Sequence, residues 1–197
     1  PKFILDVATG TGDLSLMMAK RLRPEKITGI DISAAMLELG RQKAKKLGFG
    51  TLIDFREGDS EDIGFPDATF DAVTVAFGVR NFQNLEKGLK EMLRVLKPGG
   101  RLVVLEFSKP GRGPFLLLYK TYLRYIAPRI GKILSGNAEA YQYLHDSVRA
   151  FPEGEHFRQI LDRTGFTGVY SKKLSLGICT VYCGSKNDNP QKNVITG

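Results

Sequence analysis

The first residues of the chain form the pattern that most constrains its fold. Phe3-Ile4-Leu5-Asp6-Val7 is an apolar run around one acid, which predicts a buried parallel strand. A turn with glycines at positions 10 and 12 follows, and the helix-like run Leu14-Ser15-Leu16-Met17-Met18 comes next. Glycine lets a backbone approach a ligand closely and adopt angles closed to other residues. A strand, a glycine turn and a helix predict the ligand-binding corner of a doubly wound α/β fold.

The end of the next predicted strand restricts the type of ligand. Lys26-Ile27-Thr28-Gly29-Ile30 leads to Asp31, and an acid about 20 residues after such a turn usually holds ribose hydroxyls. Ser15 occupies the third glycine position of the dinucleotide fingerprint, and no Gly-Lys-Ser/Thr phosphate loop occurs. The pattern therefore favours an adenosine cofactor other than a dinucleotide, while a plain tight turn in a Rossmann-like domain stays an alternative.

Further strands alternate with amphipathic helices as far as residue 107. We expect strands at 51–56, 70–76 and 101–107, with a helix from Leu85 to Leu96 before the last of them. This alternation predicts a parallel α/β sheet. Asp59 follows the third strand, where its carboxylate can accept the amino group of adenine. A capping or turn acid is the alternative interpretation of Asp59.

The alternation stops after the fifth strand. Residues 115–134 mix apolar and basic side chains, which indicates a helical insertion. It can be a pair of helices covering the sheet, a lid for a lipophilic substrate or a patch for anionic membrane. A helix at 155–163 capped by Gly165 and strands at 166–171 and 177–183 are predicted next. We expect a single domain at 1–185 and a polar, disordered tail at 186–197.

Composition indicates an ordinary globular protein with no special partner. The 197 residues are 42% hydrophobic and 25% charged, and the net charge is +8. The basic residues are scattered without a nucleic-acid motif, so no nucleic-acid partner is assigned. No apolar run of ~20 residues and no signal peptide occur. Cys179 and Cys183 have no further thiol partners, so neither a disulfide framework nor a metal site is predicted, and a cytoplasmic location is expected.

Several blocks together resemble one known family. Asp6-x-Ala8-x-Gly10-x-Gly12 is similar to the first motif of class I S-adenosylmethionine-dependent methyltransferases. Phe77-Gly78-Val79-Arg80-Asn81, Lys97-Pro98-Gly99-Gly100, Glu106-Phe107-Ser108-Lys109-Pro110 and Tyr141-Gln142-Tyr143-Leu144 resemble the ubiquinone/menaquinone biosynthesis C-methyltransferase family. The blocks that begin at Phe77 and Glu106 are the more specific, because the glycine motif and the Lys97-Pro98-Gly99-Gly100 turn occur in many class I methyltransferases.

The resemblance implies a fold and a reaction. The fold is a Rossmann-like class I methyltransferase domain, α/β, with a seven-stranded and mostly parallel sheet whose last strand is antiparallel. Helices cover both faces, and the helical insertion follows strand five. The family's usual helices before the first strand are absent from these 197 residues. The reaction is transfer of a methyl group from S-adenosylmethionine to a ring carbon of a polyprenylated quinol, with demethylmenaquinol as the favoured acceptor.

The resemblance also implies site residues. The cofactor-contacting positions are Asp6, Gly10, Thr11, Gly12, Asp31, Ile32, Asp59, Ser60 and Ala76. The family often has serine where Ala76 stands, so a side-chain hydrogen bond is lost there. Arg80 is expected to stabilise a phenolate of the acceptor, and Asn81 to orient the ring oxygen. A structural salt bridge that holds the loop is the alternative role for Arg80.

Other functions share part of this pattern. A methyltransferase acting on another lipophilic small molecule has the same cofactor motifs, and only acceptor profiling separates the two. An RNA-modifying or RNA-binding module is favoured by net charge alone, and a non-catalytic subunit would bind the cofactor without turnover. The partner expected from the resemblance is a lipophilic quinol, with peripheral membrane contact and a homo-oligomer both left open.

Overall fold

One sheet organises the described part of the chain, which is residues 1–108, 143 and 146–188 of a computed structural model. Its strands, in chain order, are β1 (Phe3–Val7), β2 (Lys26–Asp31), β3 (Ile53–Glu57), β4 (Phe70–Ala76), β5 (Leu96–Phe107), β6 (Thr167–Leu174) and β7 (Cys179–Ser185). The helices are α1 (Asp13–Leu22), α2 (Ala34–Lys46), α3 (Leu85–Val95) and α4 (Glu155–Thr164), with short 3-10 turns at Val79–Asn81 and Ser175–Gly177.

The order of the strands determines where a ligand can bind. The seven strands lie in the order β3-β2-β1-β4-β5-β7-β6. Strands β1 to β5 pair in parallel, and β7 runs antiparallel to both β5 and β6. This confirms the predicted mostly parallel sheet with an antiparallel last strand. The chain reverses its direction of winding between β1 and β4, and such switch points are where open α/β sheets bind ligands.

Helices cover both faces of the sheet, as predicted. Successive residues of β1 point to opposite faces, so Ile4 and Leu5 belong to different clusters of buried side chains. The cluster around Ile4 includes residues of α1 and α2, among them Leu16 and Leu37. The cluster around Leu5 includes Leu89 of α3 and others from α4. The two layers hold the carboxyl ends of the strands in a fixed arrangement.

The element boundaries differ from the prediction mainly at β5. The predicted strand begins at residue 101, after a helix that ends at Leu96, but β5 begins already at Leu96, which pairs with Phe70. The backbones of Gly99 and Gly100 also pair with Lys186, through hydrogen bonds of 2.9 Å each. This pairing reaches one residue beyond the predicted domain boundary at residue 185.

Capping residues define the ends of two helices, and the predicted cap at Gly165 is confirmed. Ser33 caps α2, because its hydroxyl accepts a hydrogen bond from the Met36 amide at 3.4 Å. Gly165 ends α4 in the left-handed conformation with φ 110°. The predicted insertion at 115–134 and the tail from 189 onwards lie outside the described residues.

Asp71 ties three strands together and gives the fold a pH dependence. Its Oδ2 accepts the amides of Lys2 and Phe3 at 2.6 and 2.8 Å, and its Oδ1 accepts Lys97 Nζ at 2.7 Å. Partial burial acts to raise the pKa of Asp71, but the hydrogen bonds from Lys97 and the two amides lower it to about 2. The unfolded chain, with an ordinary value of 3.8, therefore binds the proton first as pH falls.

The stability contributed by Asp71 should be present above about pH 4 and disappear as the pH falls to about 2. We expect the free energy of unfolding of wild type to fall across this interval, and less steeply in Asp71→Asn. Urea titrations at several pH values measure both slopes. Identical slopes would show that Asp71 contributes nothing to acid unfolding.

Candidate active site

The glycine turn after β1 has the conformation that its sequence requires. Gly10 and Gly12 have φ values of 57° and 76°, in the left-handed region that favours glycine. A Cβ atom on Gly12 would lie 2.5 Å from Cζ of Phe55, a buried residue of β3. A Cβ on Gly10 would approach only the Met36 sulfur, at 3.8 Å. Backbone conformation therefore requires glycine at both positions, and packing against Phe55 requires it at Gly12 as well.

Asp6 lies beneath the turn and holds it in place. The residue is 1% exposed, and its carboxylate accepts hydrogen bonds from the hydroxyls of Thr9, Ser15 and Thr74 at 2.7 to 2.8 Å. Burial raises the pKa of this carboxyl, while the bonds from Ser15, Thr9 and Thr74 act to lower it. Ser15 thus has a role of its own where a dinucleotide site has its third glycine. A contact of Asp6 with cofactor stays a prediction, and its side chain supports the turn from below.

Asp31 joins the glycine turn to the next loop. Its Oδ2 accepts the Gly10 amide at 2.8 Å, and its Oδ1 accepts the Ser33 amide at 2.9 Å. Each carboxylate oxygen has a second lone pair, so Asp31 can still accept two ribose hydroxyls. Ile32 is 81% exposed directly beside it. An exposed apolar side chain at this position offers a surface on which an adenine ring can lie.

Two further predicted residues follow β3 on the same edge. The Gly58 amide donates to the Asp31 carbonyl at 3.1 Å, which brings Asp59 and Ser60 close to the end of β2. Asp59 is exposed, and its Oδ1 accepts the Glu61 amide at 2.8 Å. This bond is the turn role that the sequence left as the alternative for Asp59. Oδ2 is not used in it, so one carboxylate oxygen remains for a ligand.

Thr11 and Ala76 lie at the two sides of the switch point. The Thr11 hydroxyl donates to Asp13 at 3.0 Å and accepts from Lys43 Nζ at 2.8 Å, so α1 and α2 both restrain this residue. Ala76 is half-buried at the carboxyl end of β4, next to Leu105 of β5. Its methyl group supplies a lining surface and no polar contact.

The chain bends sharply where β1 and β4 end. Ala8 and Phe77 have φ values of 51° and 57°, a conformation that is uncommon outside glycine and costly for a bulky residue. A Cβ on Gly78 would lie 2.6 Å from the Ala8 Cβ, so the two bends pack directly against each other. Strained backbone of this kind is concentrated at functional sites, and here Phe77 comes two residues before the Val79–Asn81 turn.

Arg80 forms a buried ion pair with Glu106. Arg80 Nη1 lies 2.7 Å from Glu106 Oε1, and the two side chains are 11% and 0% exposed. The same nitrogen donates to the Phe77 carbonyl at 2.5 Å, and the guanidinium lies over the Phe107 ring with Cζ 5.4 Å from its centroid. The salt bridge named as an alternative role is therefore present. Arg80 Nε, however, is buried without a hydrogen-bond partner.

Asn81 faces a different neighbour from Arg80. It is exposed, and its Oδ1 accepts a hydrogen bond from the Tyr143 hydroxyl at 3.1 Å. Tyr143 belongs to one of the blocks that carry the family resemblance. Tyr143 is 62 residues from Asn81 in sequence, yet its side chain reaches the loop after β4. The two predicted catalytic residues thus have distinct surroundings, one buried and one at the surface.

The predicted residues lie at or just after the carboxyl ends of β1, β2, β3 and β4. The structure adds Glu106, to which the sequence analysis assigned no role. Glu106 lies at the end of β5 within Leu102-Val103-Val104-Leu105-Glu106-Phe107. An acid in so apolar a strand needs a buried partner, and that signal could have identified it. Burial raises the pKa of Glu106, and the charge and hydrogen bonds of Arg80 act to lower it. Among the described residues no cluster of three metal-ligating side chains occurs.

Comparison with known proteins assigns the family. The model of the ubiE/COQ5 methyltransferase family matches residues 1–186. The chain belongs to this family. It is therefore a methyltransferase, as the sequence blocks predicted.

Curated relatives of this methyltransferase carry two names. A demethylmenaquinone methyltransferase of Bacteroides fragilis is 46% identical over 94% of this chain and 76% of its own length. Another of Deinococcus radiodurans is 48% identical over 94% of this chain and 76% of its own. A ubiquinone/menaquinone biosynthesis C-methyltransferase of Geotalea daltonii is 47% identical over 93% and 78%.

Solved structures agree with the fold. A SAM-dependent methyltransferase from Aquifex aeolicus superposes with a TM-score of 0.65 at 20% identity, over 93% of this chain and 81% of its own. The [4+2]-cyclase SpnF gives 0.68 at 20% identity, over 95% and 76%. Because a cyclase shares the fold, the fold alone does not assign methyl transfer to this family member.

Among the described residues of this chain, no helix is long and apolar enough to cross a bilayer.

Proposed function

We propose that this family member transfers a methyl group from S-adenosylmethionine to a ring carbon of a polyprenylated quinol, with demethylmenaquinol as its acceptor. The observation that carries the proposal is the Arg80–Glu106 pair at the switch point, beside a glycine turn that suits an adenosine cofactor. The names of the relatives support the choice of acceptor.

The residues at the sheet edge fit S-adenosylmethionine. The left-handed turn leaves the Gly10 backbone open, since a Cβ atom there would approach only the Met36 sulfur, at 3.8 Å. Asp31 would hold the ribose hydroxyls, Ile32 would lie against the adenine ring, and Asp59 and Ser60 would meet its amino edge. Asp6 and Thr11 would support the turn, with Ala76 lining the far side. When bound, S-adenosylmethionine supplies an electrophilic methyl group on a sulfonium.

The work of the protein is to make the acceptor carbon nucleophilic and to orient it. A hydroquinone carbon gains electron density when the neighbouring hydroxyl loses its proton. The Arg80 guanidinium stabilises the resulting phenolate, because a fixed donor in a site shielded from water acts on charge more strongly than it does in bulk water. Asn81 orients the ring oxygen. The ring carbon then bonds to the methyl group as the bond between that methyl and the sulfonium sulfur breaks, which leaves the neutral thioether S-adenosylhomocysteine. Water accepts the hydroxyl proton and then the ring proton, whose loss restores aromaticity without any covalent intermediate on the protein.

Apolar side chains lie beside Arg80. Phe107, Val148, Ile178 and Cys179 form a buried cluster at the end of β5, and Phe77 packs against it with its ring centroid 4.5 Å from that of Phe107. Such a lining suits a lipophilic ring.

We propose further that the protein is cytoplasmic and meets its prenylated substrate at the membrane surface. We also propose that residues 1–185 act as one domain and that the protein assembles as a homo-oligomer.

Acceptor profiling tests the proposal. Purified protein is incubated anaerobically with labelled S-adenosylmethionine and short-chain prenylated naphthoquinols or benzoquinols, and the product is analysed by mass spectrometry. We expect a methyl group on a ring carbon of the naphthoquinol. Methylation on oxygen, or turnover only with an acceptor that lacks a quinol ring, would contradict it.

The ribose role of Asp31 gives a separate prediction. Asp31→Ala should weaken S-adenosylmethionine binding by about 1–3 kcal/mol, the cost of leaving polar partners unpaired. Asp54→Asn, which removes a charge from the neighbouring strand, is the control. Calorimetry gives both affinities, and melting temperatures show whether each variant is folded. An unchanged affinity for Asp31→Ala would remove Asp31 from the ribose site.

A further inference from the structure

Arg80 divides its donors between two edges of the guanidinium. Nη1 gives its two hydrogens to the Phe77 carbonyl at 2.5 Å and to Glu106 Oε1 at 2.7 Å. The other edge consists of Nε and Nη2. Nε is buried without a partner, and none of the hydrogen bonds between described residues uses Nη2. This side-on pair of N–H groups is the fork that binds an oxyanion with two parallel hydrogen bonds.

Glu106 determines which edge stays available. Its carboxylate accepts three donors: Arg80 Nη1 at 2.7 Å, the Phe107 amide at 2.8 Å and the Arg80 amide at 3.4 Å. It therefore holds both the backbone and the side chain of the same residue. Being fully buried at the end of β5, Glu106 cannot itself move toward a ligand. The Phe107 ring below the guanidinium restricts its plane as well.

A buried donor without a partner is costly, since it has given up its hydrogen bonds to water. The fold accepts this cost at Arg80 Nε, the one buried side-chain nitrogen or oxygen among the described residues that lacks a hydrogen-bond partner. Such an orphaned group is explained when a ligand supplies the missing acceptor. An anionic oxygen is the acceptor that the edge fits, both in charge and in geometry.

We propose that Glu106 is the positioning residue of the reaction: by holding Nη1, it turns the Nε–Nη2 edge of Arg80 toward the anionic oxygen of the acceptor. This inference rests on the proposed role of Arg80 and goes beyond it, because it assigns the orientation of the donor to a second residue. If Glu106 acted on the ligand only through its charge, its effect on the affinity for an anion would have the opposite sign. Its negative charge repels an anionic ligand, so neutralising it would tighten anion binding.

The sign of the effect is therefore the test. The probe is 2-hydroxy-1,4-naphthoquinone, a ring of the proposed kind that is an anion at neutral pH, titrated by calorimetry into the protein with S-adenosylhomocysteine present. We expect Glu106→Gln to bind it about tenfold more weakly than wild type, the scale of losing one charge-assisted hydrogen bond. Equal or tighter binding would overturn the inference.

Two further variants separate this inference from the role of Arg80. Arg80→Lys should also bind the probe more weakly, and Glu106→Gln should add little in that background, because both changes remove the same contact. Full additivity would overturn the positioning role alone. Unchanged binding in Arg80→Lys would instead overturn the proposed role of Arg80.

Two further variants test whether weaker probe binding merely reflects poor folding. Glu106→Asp keeps the charge and withdraws the carboxylate by one methylene, so it stays informative if Glu106→Gln does not fold. We expect weaker probe binding and a lower kcat in Glu106→Asp, with an unchanged KM for S-adenosylmethionine. Glu91→Gln breaks a comparable pair with Arg94 (2.7 Å) on α3, and it should leave probe binding unchanged. A fall in probe binding in Glu91→Gln equal to that in Glu106→Gln would mark both as general folding effects.

Discussion

Replacing Arg80 with lysine is expected to lower kcat about 10²–10³-fold, the usual effect of removing one donor to a developing oxyanion. Lysine keeps the positive charge that Glu106 requires, so the buried pair can survive. Its single ammonium cannot hold Phe77 and Glu106 and also present a planar edge to the acceptor. S-adenosylmethionine affinity should stay nearly unchanged, because the residues proposed to bind its ribose and adenine follow β2 and β3, whereas Arg80 follows β4. Single-turnover kinetics and calorimetry measure the two quantities.

Arg94 provides the matched control for this experiment. It too is a multiply bonded arginine, with contacts to Glu91, Asp67 and the carbonyls of Ile63 and Phe65. Arg94→Lys should lower the melting temperature and leave kcat per folded molecule unchanged. A wild-type kcat in Arg80→Lys, or a parallel loss of cofactor binding, would reduce Arg80 to a residue that holds its loop.

Sequence alone predicted the parts of this fold that depend on local patterns. The apolar run around Asp6, the glycine turn and the acid at position 31 identified the first βαβ unit. The helix predicted from Leu85 to Leu96 is present as α3, with Leu89 and Met92 buried. The boundary at Leu96 was missed, because β5 is extended there by a pairing with Phe70 and by contacts to Lys186. Residues distant in sequence supply both, and no local pattern announces them.

The candidate site divides in the same way. Two motif positions show why their residue types are needed: Gly12 has a positive φ, and the carboxylate of Asp31 accepts the Gly10 amide. The partners of Arg80 could not be read so directly, because Glu106 is 26 residues away and meets it only through the parallel pairing of β4 and β5. The support given by Asp6 from below likewise depends on Thr74 of the adjacent strand. The motif residues could therefore be named from sequence, whereas the contacts that position them required the pairing of distant strands.

Gly12→Ala is expected to destabilise the fold by about 2–5 kcal/mol. A left-handed conformation costs a non-glycine residue about 1–2 kcal/mol, and forcing a methyl into a packed core adds about 1–3 kcal/mol. The methyl would meet the Phe55 ring, with Cζ at 2.5 Å and Cε1 at 2.7 Å. The ring has little room to withdraw, since Gly29 and Gly40 also pack closely against it. Urea denaturation measures the change in free energy of unfolding.

Gly48→Ala isolates the conformational part of this cost. Gly48 has φ 77°, almost the same as Gly12, but a Cβ there would meet nothing within 4 Å. Gly48→Ala should destabilise the fold by about 1–2 kcal/mol. The additional destabilisation in Gly12→Ala then measures the cost of the collision with Phe55. Adding Phe55→Leu should recover part of that excess at Gly12 and none at Gly48. Equal destabilisation of the two single variants would mean that the turn after β1 has room for a side chain, and that close packing does not explain its second glycine.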